Sequence, residues 1–403
     1  MKISEITTIT GKKKRIARDP RNRRHISNDE LHTVEPTDLD EQIISESRIQ
    51  HVEDLILWDG AAGAINGINA LRSVVSSPDD VTIKWDGSPA VMFGRNENGE
   101  FVLTDKSGFT AKGYDGRVTS GEDLENMFLN RGKGEIDDSR RAFAATMKSI
   151  WPIVESSVPS EFRGYVLGDL LYFTTPPVTD GRFEFTPNTT TYSVDVSSEV
   201  GKDIGNSTTG VVLHAHTALD GTTGPVDANA FNIGKLLIMP PKSISHAPEI
   251  DDAALNELEA FINKRKPEID KVFDQQVLTD LKMKDFSNIV YTYINNRTKE
   301  GTLDSLGTED FLSWAVGSKL SGPKKTRLDQ YIVDNSVGFD TVLTVIIAIM
   351  KIKNNIISAL DDQPADIEAH TAGQRGGEGY VIGKDSKLVN RSAFTQANMA
   401  RMR

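Results

Sequence analysis

Cysteine is missing from all 403 residues of the chain. That excludes disulfides, zinc–thiolate sites and cysteine nucleophiles, and it fits a reducing compartment. An excess of positive charge is also missing. Lys and Arg number 46 against 58 Asp and Glu, a formal net charge of −12. This argues against a uniformly basic nucleic-acid coat, while a local basic groove stays possible. The charged N-terminus lacks the apolar core of a secretory leader. The most apolar run, residues 342–350, is too short to cross a bilayer and is followed by Lys351 and Lys353, so it reads as a buried helix. No Gly-x-Ser-x-Gly elbow supports a hydrolase. Histidines are few, seven in total, and only His214-Ala215-His216 sets two close together. On a strand both rings would face one side, but two histidines without a third ligand read as structural rather than metal-binding.

What is present is an ordinary globular composition, 38% hydrophobic and 26% charged, in a chain long enough for two or three domains. Residues 1–47 form a polar arm carrying Lys12-Lys13-Lys14-Arg15 and Arg21-Asn22-Arg23-Arg24, diluted by acidic residues from Asp38 to Glu46. Residues 48–240 are rich in strand and hairpin signals after a first small-residue helix. Asn96-Glu97-Asn98-Gly99 is a turn between two apolar strands. Tyr165 to Leu171 and Val211 to His216 read as buried strands. Helical spacing of Leu255, Leu258, Phe261 and Ile262, and of Phe286, Ile289, Val290 and Ile294, marks residues 241–365 as a helical insertion. Residues 366–403 return to strand-like patterning. The expected fold class is α+β, antiparallel sheets with flanking helices plus that insertion.

The stretch with the most chemistry is Lys84-Trp85-Asp86-Gly87, where a short apolar strand runs into a Gly-Ser-Pro turn. A lysine at a strand end is a nucleophile once neighbouring cations or desolvation lower its pKa, and Gly87 admits close backbone approach. Asp105-Lys106-Ser107-Gly108-Phe109 and Lys112 follow within thirty residues, so further cations lie near it in sequence.

Lys84-x-Asp86-Gly87 resembles motif I of the covalent nucleotidyltransferases, the DNA ligases, RNA ligases and mRNA-capping enzymes. Lys106-Ser107-Gly108 resembles the next motif of the RNA-ligase branch. The apolar stretch ending in Gly168-Asp169 resembles motif III, with Asp where Glu is usual. Gly377-Glu378-Gly379-Tyr380-Val381-Ile382 resembles motif IV. Ser386-Lys387-Leu388-Val389 stands at motif V, with Val389 in place of its second lysine and Arg391 as a nearby cation. The motifs follow the family order. The string Lys-Trp-Asp-Gly-Ser-Pro-Ala also resembles tailed-phage proteins of unassigned function, which suggests a viral origin.

The resemblance implies a ligase-like nucleotidyltransferase whose motifs I to III lie in residues 48–240 and motifs IV and V in 366–403. It implies that Lys84 attacks the ATP α-phosphate, expels pyrophosphate and carries AMP to a nucleic-acid 5′-phosphate. Asp86, Gly87, Arg95, Lys106, Asp169, Glu378 and Lys387 would bind the nucleotide, and Asp169 and Glu378 would hold Mg2+. Phe109, Tyr165 or Phe173 would stack on the purine. Little chain follows motif V, so a C-terminal oligonucleotide-binding barrel is not expected and RNA is the favoured substrate. The alternatives are a DNA ligase, a GTP-dependent capping-type transferase, or a non-catalytic phage structural or nucleic-acid-binding protein that keeps the fold. The expected location is cytoplasmic, the host cytoplasm for a viral protein, with no membrane partner.

Overall fold

The computed structural model describes residues 50–109, 117–131, 136–231, 234–244, 246–363, 366–371, 373–383 and 386–393. The N-terminal arm and Lys112 lie outside the described residues. The chain divides into two compact units, each woven from separated segments.

The first unit contains residues 87–175 and 203–239. Its sheet runs in the order Thr223–Gly224, Thr209–Thr217, Gly164–Tyr172, Ala90–Arg95, Phe101–Asp105, all antiparallel, with Leu236–Ile238 added parallel to Thr209–Thr217. Alternation explains the faces. Val91, Phe93, Leu103 and Val166 join Met147, Ile150 and Trp151 in one core, under the helices Gly121–Asn130 and Asp138–Ser157. Met92, Val102, Phe109, Tyr165 and Leu167 form a smaller cluster. Ser120 and Asp137 cap the two helices by accepting from the backbone N–H of Asp123 and Arg140, each worth about 1 kcal/mol. The Asn96–Gly99 turn forms as its sequence predicts. Asn96 Oδ1 accepts from the N–H of Asn98 and Glu100.

The second unit contains residues 48–86, 176–202 and 240–403. One sheet is ordered Gln50–His51, Ser386–Leu388, Tyr380–Ile382, Val81–Ile83. Its first pair is parallel and the others antiparallel. A five-stranded antiparallel sheet runs Gln374–Arg375, Ile367–Thr371, Thr190–Asp195, Arg182–Phe185, Val178–Thr179. The helical region predicted for 241–365 is not a separate body. The helix Ile56–Ser76 packs on Asp252–Val272 and Ser336–Asp361, and Leu57, Ile68 and Leu71 share one core with Leu255, Ile346, Ile349, Tyr380 and Leu388. Each large apolar side chain buried there contributes about 1.5–3 kcal/mol. That shared burial is why the helices belong with strands from both ends of the chain.

The apolar run at 342–350 is part of a longer helix, Ser336–Asp361. With 26 residues, this helix is long and apolar enough to cross a membrane, and half of its most apolar window is buried inside the protein. Its buried face includes Lys353, which pairs with Glu53.

Candidate active site

The second unit builds the first cluster of candidate residues. Ile83 pairs with Tyr380 in the antiparallel ladder, and one more backbone bond extends it, Lys84 N–H to Gly379 C=O at 2.9 Å. Lys84 thereby lies beside Glu378. Gly379 has φ +134°, and a Cβ there would meet the Leu388 carbonyl at 2.0 Å, so only glycine fits the crossing. The strand consequently begins at Tyr380, just after this glycine.

Lys84 Nζ is ion-paired to the Glu378 carboxylate, and the two side chains are 26% and 11% exposed. Burial raises the Glu378 carboxyl above its ordinary range. Lys84 opposes the shift and Asp86 adds to it. Lys387 lies in the middle of the Ser386–Leu388 strand, in register with Val381 on one side and His51 on the other. Burial, and then the charge of Lys84, push its ammonium down to about 8. An amine, a carboxyl and a second amine therefore share a desolvated site.

Asp86 anchors the segment that carries Lys84. Its carboxylate accepts from Asn188 Nδ2 at 2.8 Å, Thr189 N–H at 3.1 Å and Thr189 Oγ1 at 2.9 Å. Its own N–H donates to the Tyr192 hydroxyl at 2.5 Å. Trp85 is buried against Tyr192 and Phe185, with ring centroids 4.7 and 6.5 Å away.

Beside Lys387 lies a buried charge network that the motifs do not reveal. Lys353 Nζ meets Glu53 Oε1 at 2.6 Å, and Arg391 grips Asp54 through two bonds of 3.0 and 2.6 Å. Arg391 is thus committed inside the protein and acts on Lys387 only through its field. His51 is held neutral, its pKa pushed well down by burial and by Lys387, Arg391, Lys353 and Lys84. Two signals for this network were visible. Glu53-Asp54 sits among apolar residues, and Lys353 interrupts an apolar helix face. Neither signal names its partner.

The first unit gathers a different set. Asp169 Oδ2 lies 2.9 Å from His214 Nε2, and Lys106 follows the Phe101–Asp105 strand, desolvated and held below the usual lysine range by burial, with Asp169 opposing. Gly87 packs on Asp169, where a Cβ would lie 2.5 Å from the Asp169 Cβ. Arg95 is not part of this group. Its Nε, Nη1 and Nη2 donate to the carbonyls of Pro159, Gly99 and Val158 at 2.9, 3.1 and 3.0 Å. The Ala90–Arg95 strand carries it about 17 Å from the end where Ala90 pairs with Asp169. Of the aromatic candidates, Phe109 and Tyr165 pack edge-to-face at 4.8 Å with Arg117 over Phe109, while Phe173 joins the helix-covered core.

The two histidines expected on one side do not act together. A register shift between Leu167 and Gly168 falls at His214, which turns to Asp169. His216 packs its ring on Phe162 at 5.5 Å. Among the described residues no three His, Asp or Glu side chains converge as a metal site.

Residues 46–403, which span both clusters, match one family profile. The chain belongs to DUF6267, a family of unknown function. No curated protein and no solved structure matches it.

Proposed function

We propose that this DUF6267 protein is an ATP-dependent nucleotidyltransferase of RNA-ligase type, with Lys84 as the nucleophile. The observation that carries this reading is the Lys84–Glu378 ion pair at the end of two paired strands, with the desolvated Lys387 beside it. A lysine must shed a proton before it attacks, and a neighbouring cation disfavours the ammonium. Glu378, its carboxyl already raised by burial, is placed to accept that proton. The Lys84 Nζ–phosphorus bond forms as the bond to pyrophosphate breaks, and AMP then passes to a polynucleotide 5′-phosphate, RNA being favoured. Two amines around one carboxyl suit the anionic triphosphate. Mg2+ takes most of its ligands from phosphates and water, and no step is drawn through it.

The test is incubation with α-labelled ATP or GTP and Mg2+, after discharge of any preformed adenylate with pyrophosphate, then a denaturing gel. Wild type is expected to carry label from ATP, and Lys84→Ala none. A second reading makes Lys84–Glu378 a structural ion pair in a non-catalytic phage protein, favoured by the closed contact itself. It requires a folded wild type that carries no label from either nucleotide.

A further inference from the structure

We infer that a basic patch on the helical part of the second unit holds the phosphate backbone of a polynucleotide. The patch lies within that unit alone and stands on charge and pairing, apart from the chemistry proposed for Lys84.

Residues 281–285 and 316–327 carry six cations, Lys282, Lys284, Lys319, Lys324, Lys325 and Arg327, against one acid, Asp285, in a chain of net charge −12. Folding brings the two segments together. Lys324 Nζ donates to both carboxylate oxygens of Asp285, at 2.7 and 2.6 Å. Lys325 Nζ donates to the Val316 carbonyl at 2.6 Å, which ties the start of the helix Gly322–Asp334 to the helix Thr308–Gly317. The other four cations have no ion-pair partner among the described residues, and Lys282, Lys284 and Lys319 are exposed. The nearest acids along the chain, Asp280 and Asp329, lie outside these segments.

The local structure gains nothing from so much positive charge. The first turn of Gly322–Asp334 holds Lys324 and Lys325 and no acid, and the Ser321 side chain makes no capping bond. A helix start favours anions, so two cations there are disfavoured until an anion joins them. Lys282 has φ +55°, a left-handed conformation that long side chains seldom adopt. Unpaired like charges on two joined segments also repel one another.

The apolar side chains of the same segments are spent elsewhere. Leu281, Met283, Leu320 and Leu328 pack on the core. Beyond Val316, which is 75% exposed, the patch offers charge rather than apolar surface. A bilayer surface or a protein anchor draws on apolar burial. A phosphate backbone is held by Lys and Arg without it. A polynucleotide is also what the proposed transferase would act on.

The experiment uses the full chain with fluorescent single-stranded RNA and DNA of equal length, read by anisotropy over a salt series without ATP. Wild type is expected to bind both. With Lys324 occupied by Asp285, five engaged cations give a slope of log K against log salt of about −3.5. The triple variant Lys282→Gln, Lys284→Gln, Lys319→Gln removes exposed, unpaired side chains. It is expected to keep the wild-type melting temperature, to flatten the slope by about 2 and to bind about 10²-fold more weakly at 0.1 M salt. A control triple variant, Lys202→Gln, Lys235→Gln, Lys264→Gln, makes the same charge change at exposed lysines elsewhere and is expected to bind as wild type does. The inference is overturned by a wild type that binds neither strand, or by a patch variant with wild-type affinity and slope. It is equally overturned by a control variant that loses as much, or by polyglutamate or anionic vesicles held at the patch as tightly as RNA. A wild type that binds RNA through the patch but takes no label from α-labelled ATP keeps this inference and removes the proposed function.

Discussion

At the residue scale, the candidate site carries an unfavourable burial. Lys387 has a folded pKa of about 8 against an ordinary 10.5, so its ammonium is disfavoured by the fold. Between those values the unfolded chain binds more protons. The contribution of Lys387 to stability therefore rises as pH increases from about 8 to 10.5, and at pH 7 the charged form is held at full cost. Lys387→Met is expected to raise stability at pH 7 by about 1–3 kcal/mol, seen as a higher urea midpoint, while slowing the labelling of Lys84. A loss of stability with unchanged labelling would place Lys387 outside the site. Lys84, Asp86, Glu378 and Lys387 were all legible in the sequence as motif positions. The tether that holds Asp86 was not, because Asn188 and Thr189 lie about a hundred residues away and have no pattern of their own.

At the element scale, the sequence located most strands and helices because alternation and helical spacing are local. It erred where one backbone position decides the geometry. The strand-like patterning of residues 366–403 is broken before Tyr380, because Gly379 turns away from β geometry to pass the Leu388 carbonyl. The His214–His216 pair was assigned to one face because a strand without a register shift would put it there. The helix Ser336–Asp361 meets motif IV near its C-terminal end, where Tyr380 donates to Asp361 Oδ1 at 2.8 Å. Burial raises Asp361 to about 6 from 3.8. A raised carboxyl favours the fold while it is protonated, so its contribution is complete below about pH 3.8 and is lost as pH rises through about 6. Asp361→Asn is expected to flatten the fall in denaturation midpoint between pH 4 and 6. An unchanged slope would mean that other carboxyls set it.

At the scale of the whole molecule, the second unit depends on segments from both ends of the chain. Truncation after Asp362 would delete the strands Ile367–Thr371, Tyr380–Ile382 and Ser386–Leu388, together with Arg391. Asp54 would keep its burial without its cation, and a buried charge stripped of its partner costs about 3–5 kcal/mol. The truncated chain is expected to lose the cooperative unfolding transition of this unit, followed by circular dichroism. A retained transition would show that the helices fold without the motif IV and V strands. By itself the sequence determined the α+β class and the type of most elements, because these follow from composition, local spacing and turn chemistry. Only the tertiary structure decided that the helices share one core with residues 52–81, that Arg391 serves Asp54, and that Asp169 holds His214. Those outcomes depend on which distant segments bury each other's apolar faces and charges, and the local pattern along a chain carries no record of that pairing.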